Sequence, residues 1–252
     1  MITWKLILIT VAIVYVGSGL FLFFAQKNLM YYPDRTDFDT CEAFKDAEKI
    51  HSNGTRMYLK NISDSVVIVY HGNAGSACDR GYYREFFTSR GYSYLYVEYT
   101  GFSNDTRSPS EKKIRKNVED AARVASTFRK KIVFGESIGS GAAAYHAQIA
   151  PVDELILIAP FDSLKSVART HYPMYPSFIV RENFDNIDAL QKYQGNVHIF
   201  HGSEDRIVPP KLSERLALSL AHANRTIVEN AEHNTILNYP QVWAEIATIL
   251  EK

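Results

Sequence analysis

The sequence predicts an α/β protein: a doubly wound, mostly parallel sheet with a short lid insertion, preceded by a single N-terminal transmembrane helix. Three observations carry that prediction. Short apolar runs recur along the chain with helical stretches between them, Asn53-Gly54 marks a tight turn, and an uncharged apolar run extends from Leu6 to Ala25. Apolar runs of this kind suit strands buried on both faces of a sheet. Strands that alternate with helices need right-handed crossovers, which lay neighbouring strands parallel.

The first element is "LILITVAIVYVGSGLFLFFA". At about 20 residues it matches the hydrocarbon core of a bilayer. A cleaved signal peptide would have a shorter apolar region ending in small residues, whereas Phe23 and Phe24 precede Ala25 here. An uncleaved single-pass anchor is therefore expected. Lys5 lies before the span and Lys27 and Arg35 after it, so the charge bias is weak. The short tail before the span places the bulk of the chain on the non-cytosolic side. "QKNLMYYPDRTDFDT" is expected as an interfacial connector, with Tyr31 and Tyr32 at headgroup level.

"KIHSNGTRMYLKN" then alternates around Asn53-Gly54 as a hairpin. Five apolar runs predict buried strands: "SVVIVYHG", "YSYLYVEY", "KIVFG", "ELILIAP" and "NVHIF". Helices are expected at "YYREFFTSR", "SEKKIRKNVEDAARVASTFRKK", "SGAAAYHAQIA" and "KLSERLALSLAHA". The second opens with Ser110 as N-cap and spaces Ile114, Val118, Ala121, Val124 and Phe128 along one face. A last strand, "RTIVE", and a closing helix, "QVWAEIATIL", complete the order.

Composition excludes several function classes. The 252 residues carry 28 acidic and 28 basic side chains, so no global field favours nucleic acid. Two cysteines are too few for a disulfide scaffold or a zinc site, though Cys41 and Cys78 can pair in an oxidising compartment if their Cα atoms approach within about 7 Å. No His-Glu-x-x-His or paired-cysteine spacing occurs, so neither a metal nor a cofactor is expected. Sequons at Asn53, Asn61, Asn104 and Asn224 matter only in a glycosylating lumen.

Chemistry gathers around "VFGESIGSGAAAYHA". Gly135-Glu136-Ser137-Ile138-Gly139 reads G-x-S-x-G, and a strand is expected to end where a helix begins. A turn this sharp strains the serine backbone and brings strand and helix together, so its flanks must be small. Ser137 is thereby lifted out of the sheet, with helix N–H groups facing whatever binds it. A serine nucleophile needs a base and the base an orienter. Downstream, "HGSEDRIVP" offers Asp205 and "NAEHNT" offers His233, each just past a strand's carboxyl end. "YHGNAG" can expose the N–H of Asn73 opposite that of Ile138, a donor pair for an oxyanion. Asp162 in "APFDSL" is an alternative acid. His71 and His201 are expected to bind loop backbone, and His51, His146, His171, His198 and His222 have no constellation around them. Glu136 is read as a solvated or loop-satisfying charge and Cys78 as a small core residue.

The chain resembles the α/β-hydrolase superfamily, in particular its small membrane-anchored branch of α/β-hydrolase domain-containing proteins. "QKNLMYYP", "VYHGNAG", "GESIGSGAAA", "APFDSL", "FHGSEDRIVP" and "AEHN" carry the resemblance. It implies an anchor and connector at residues 1–30, a catalytic domain at 31–252 and a lid at about 162–194. It further implies serine hydrolysis of a carboxylic ester or thioester, lipid-linked substrates among them, with Ser137, Asp205 and His233 as the triad. The chain departs from the family at Thr100-Gly101, where an Arg-Gly pair is usual, and in the glycine-poor loop after it, which bears on one pocket wall. In the lid, "THYPMYPSFIV" offers Tyr172, Met174, Tyr175 and Phe178, with Ile179, as an apolar wall, or else as a packed surface pair. An acyltransferase or peptidase on the same triad, or a catalytically silent binding module, are the rival readings.

Overall fold

The structure, a computed structural model, describes residues 3–251. Helix α1 spans Trp4–Met30, is long and apolar enough to cross a membrane, and buries none of its residues fully. It runs through the expected connector because nothing from Gln26 to Met30 breaks a helix, and it stops ahead of Tyr32-Pro33. The placement of Tyr31 at headgroup level is corrected. Its ring is buried and its hydroxyl donates to Glu182 Oε2 at 3.1 Å, seating the end of α1 on the domain, whereas Tyr32 is exposed.

Ten strands follow among the described residues: β1 (Tyr32–Pro33), β2 (Glu48–Ser52), β3 (Thr55–Lys60), β4 (Ser65–Tyr70), β5 (Ala74–Gly75), β6 (Ser93–Glu98), β7 (Lys130–Glu136), β8 (Glu154–Ile158), β9 (Asn196–Gly202) and β10 (Ala223–Val228). Eight of them form one sheet in the order β10-β9-β8-β7-β4-β6-β3-β2, while β1 pairs with β5. From β10 to β6 every neighbour is parallel; β3 and β2 are antiparallel at one edge. The β2–β3 turn is Asn53-Gly54, both left-handed, as a two-residue hairpin requires.

The remaining helices are α2 (Arg84–Thr88), α3 (Glu111–Ala125), α4 (Gly139–Ile149), α5 (Leu164–His171), α6 (Asn186–Leu190), α7 (Pro210–Leu218) and α8 (Pro240–Leu250). They cover both faces of the sheet. Alternation along β4 shows why: Val66, Ile68 and Tyr70 pack with α3, α4, α6 and α7, whereas Val67 and Val69 face α2 and α8. Ser110 caps α3 as expected, its hydroxyl accepting from the Lys113 N–H. Yet α3 ends at Ala125 rather than near Lys131, because Lys130 already pairs with Ser65 of β4. Lattice-like sheet pairing outcompetes helix propensity there. Cys41 and Cys78 form a disulfide, with Cα atoms 6.0 Å apart. The four sequon asparagines are all exposed.

Candidate active site

The turn from β7 into α4 positions Ser137 with φ at 53°, a left-handed conformation for a residue with a Cβ. The fold holds it there: the Ser137 N–H donates to Ile158 O at 2.8 Å and its carbonyl accepts from the Ser140 N–H at 2.9 Å. The flanking glycines follow from contact distances. A Cβ on Gly135 would lie 2.5 Å from the Gly139 carbonyl oxygen, and one on Gly139 would lie 2.2 Å from that of Tyr70. Strand and helix approach so closely that neither position admits a side chain.

Two loops bring the other groups to this turn. Past β9, the buried Asp205 carboxylate accepts N–H bonds through Oδ1 from Ile207 at 2.9 Å and Val208 at 2.8 Å. Past β10, His233 reaches back so that Nδ1 lies 2.6 Å from Asp205 Oδ2 and Nε2 lies 2.9 Å from Ser137 Oγ. The three side chains thus form one hydrogen-bonded chain. The proton on Nδ1 is assigned from its carboxylate partner, which leaves Nε2 as acceptor toward the hydroxyl. Burial alone would raise the Asp205 carboxyl; hydrogen bonds from His201, His233 and the Val208 N–H outweigh it and hold the group well below the usual carboxylate range. Asp162 does not join the chain. Its Oδ2 is paired with Arg215 at 2.8 Å and its Oδ1 accepts from the Ser163 N–H.

Asn73 and Ile138 line the same cavity as Ser137. Among the described residues, neither main-chain N–H donates to another backbone carbonyl, so both are available to a ligand. The loop carrying Asn73 is tied down from several sides. Its carbonyl accepts from Tyr32, its amide donates to Met30 O, and Arg80 bonds both Ala74 O and Glu136. His71 and His201 behave as expected in holding loop backbone. His71 also stacks on Tyr99, and His201 Nε2, which donates to Val208 O at 2.7 Å, lies 3.1 Å from Asp205 Oδ2.

The cavity in front of Ser137 measures about 310 Å³. Tyr172 and Tyr175 line it as expected; Met174 and Phe178 do not, being 68% and 79% exposed. The reason is local. Tyr175 turns toward α1, stacking on Tyr15 with ring centroids 5.0 Å apart, which leaves its neighbours on the outer side of the loop. No residue of the glycine-poor loop after Gly101 reaches the cavity. That wall is built instead by Leu22, Gln26, Leu29 and Met30 of α1. Sequence reasoning treated this helix as an anchor alone, although Gln26, a polar group closing an apolar run, was a visible signal. It likewise missed the Arg80–Glu136 pair and His171, whose Nε2 donates to Ile207 O at the cavity edge. Among the described residues, no three His, Cys, Asp or Glu side chains converge as metal ligands would.

No family model matches the chain. It is 28% identical over 248 residues to an uncharacterised protein of Mycobacterium tuberculosis, covering 89% of this chain and 86% of that one. Over 184 residues it is 30% identical to α/β hydrolase domain-containing protein 17B of Xenopus laevis, covering 66% of this chain and 60% of that protein. Over 178 residues it is 26% identical to the lysophosphatidylserine lipase ABHD12 of Bos taurus, covering 61% and 45%. In fold it is similar to a Pyrococcus furiosus esterase, with a TM-score of 0.68 at 15% identity, covering 88% of this chain and 97% of that one. Sheet order, strand-end loops and these likenesses agree: the chain has the α/β-hydrolase fold and is similar in sequence to α/β-hydrolase domain-containing proteins.

Proposed function

We propose that the protein is a membrane-anchored serine hydrolase that cleaves a carboxylic ester or thioester through an acyl-enzyme. The observation that carries this reading is the continuous chain Ser137 Oγ, His233 Nε2 at 2.9 Å, and His233 Nδ1 to Asp205 Oδ2 at 2.6 Å. Ser137 Oγ attacks the acyl carbon while its proton passes to His233 Nε2. Asp205 keeps the ring in the required tautomer and stabilises the imidazolium. The Asn73 and Ile138 N–H groups receive the charge that develops on the carbonyl oxygen. Collapse returns the proton to the leaving alcohol or thiol. Water then attacks the acyl-enzyme, giving its proton to His233, and releases the carboxylic acid and free Ser137.

In this reading residues 1–30 are the anchor and connector, 31–252 the catalytic domain and 162–194 the lid. The domain lies on the non-cytosolic side. The Cys41–Cys78 disulfide supports an oxidising compartment, and the exposed sequons are compatible with it. The lipase named among its relatives and the mostly aliphatic and aromatic cavity favour an acyl chain as the bound group. Ser137→Ala tests the assignment. Alanine keeps the same Cβ in the same strained turn, so the thermal midpoint should barely move while ester turnover disappears. Turnover that survives in the folded variant places the nucleophile elsewhere.

A further inference from the structure

We propose that the lid loop is itself sunk in the bilayer beside α1, so that the cavity opens into one leaflet and receives the acyl chain of a resident lipid sideways. This rests on the hydrolase reading and specifies its substrate as a bilayer lipid rather than an ester dissolved in water.

The lid does not merely touch the end of α1. Tyr15, Ser18, Gly19, Leu22 and Gln26 fall at spacings of three, four, seven and eleven from Tyr15, which is one helix face. The Tyr15 hydroxyl donates to Met174 O at 2.8 Å, Ser18 is hydrogen-bonded to the Tyr175 hydroxyl, and the Tyr175 ring packs over Gly19. At the other end, Gln26 donates to Ile179 O at 3.2 Å and accepts from the Arg181 N–H at 2.7 Å. Tyr15 and Gln26 are about 16 Å apart along a helix, half the thickness of a hydrocarbon core of about 30 Å. If α1 spans from Leu6 to Ala25, the loop that follows this face must enter the leaflet with it.

Much of the loop backbone meets the demand of that depth, the Met174, Ser177 and Phe178 N–H groups alone having no protein acceptor among the described residues. Backbone in hydrocarbon must satisfy its polar groups internally. Pro173 and Pro176 have no N–H to satisfy. The Tyr175, Ile179 and Val180 N–H groups donate within the loop, and α1 side chains take the Met174 and Ile179 carbonyls. Of the side chains left facing outward, Met174 and Phe178 are the large apolar ones and the most exposed of the apolar side chains, beside Tyr172, Pro173, Pro176 and Ser177. Within residues 172–181 the one charged side chain is Arg181, at the Gln26 level, where it and Lys27 are in reach of headgroups, while Arg169 of α5 lies at the cavity itself. The polar seam at Tyr15 and Ser18, costly in lipid unless partnered, is partnered by the lid.

A nitroxide reads the depth. With both native cysteines in a disulfide, Phe178→Cys supplies a single free thiol, and Leu218→Cys, at the C-terminal end of α7 and 81% exposed, a water-facing control. In full-length protein reconstituted in phosphatidylcholine bilayers, the label at 178 should collide more with oxygen than with a water-soluble nickel chelate, and the label at 218 the reverse. Met174→Asp combined with Phe178→Asp should lower the ratio of turnover on bilayer-borne palmitoyl ester to turnover on soluble butyrate ester by about tenfold or more. An active enzyme whose 178 label reads aqueous, or whose ratio is unmoved, overturns the embedded mouth alone. A lipid-buried label on a protein that turns over neither ester overturns the hydrolase reading and the substrate assignment with it.

Discussion

Asp205→Asn separates orientation by charge from mere packing, because the structure dictates how the amide must sit. Asp205 Oδ1 accepts two main-chain N–H groups, from Ile207 at 2.9 Å and Val208 at 2.8 Å. The amide keeps its oxygen there, since the opposite orientation would press NH2 against both donors. The NH2 then takes the Oδ2 position, 2.6 Å from His233 Nδ1 and 3.1 Å from His201 Nε2. Facing a donor, His233 Nδ1 must become an acceptor, and its proton moves to Nε2. A protonated Nε2 cannot take the Ser137 proton. Enzymes with the wrong tautomer lose about 10⁴ in kcat, or roughly 5.5 kcal/mol of transition-state stabilisation. The fold should suffer less: His201 Nε2 still donates to Val208 O, and a lost charge-assisted bond costs about 1–3 kcal/mol. Initial rates on a soluble butyrate ester, read beside the thermal midpoint, give both numbers. A folded variant within tenfold of the parent rate would refute the claim that the Asp205 carboxylate sets the tautomer.

Three further outcomes are expected. Gly139→Ala would set a Cβ against the main-chain oxygen of Tyr70 at 2.2 Å, so urea denaturation should show a loss of about 3 kcal/mol or more. Glu136→Gln removes the charge that Arg80 meets at 2.8 Å and loosens the Asn73 loop; kcat should fall about tenfold with KM nearly unchanged, as expected of a positioning residue rather than one that binds substrate. Burial pushes His146 down to about 4 from 6.5, with its Nδ1 hydrogen-bonded to the Tyr70 hydroxyl at 2.7 Å. Because the unfolded chain binds this proton first, the contribution is present above pH 6.5 and is lost as pH falls toward 4, by about 2 kcal/mol between pH 7 and pH 5. Denaturant titrations at the two pH values check the slope, and a flat profile would mean that His146 is not held neutral.

Much of the candidate site was legible because its signals are local. G-x-S-x-G needs only a strand, a tight turn and small flanks, and contacts at Gly135 and Gly139 explain both glycines. Asp205 and His233 were visible as polar residues just past apolar runs. What sequence could not show depends on contacts between distant segments. Asp162 and Asp205 both sit just past strand ends, and although the family order favoured Asp205, the contacts separate them: Arg215 holds the first and His233 the second. Helix α3 ends early for a similarly remote reason, the claim that β4 makes on Lys130. Tyr31 and Tyr32 are adjacent, yet one is buried by a bond to Glu182 and the other is exposed. The role of α1 in the cavity was hidden most deeply, since apolarity suits a lipid-facing helix and a pocket wall equally well.

The central claim concerns one nucleophile, and a fluorophosphonate tests it directly by bonding covalently to an activated serine. Peptide mapping of the labelled, folded protein should find the adduct on Ser137, with labelling abolished by His233→Ala. An adduct on another residue, or none on folded protein, would contradict the account.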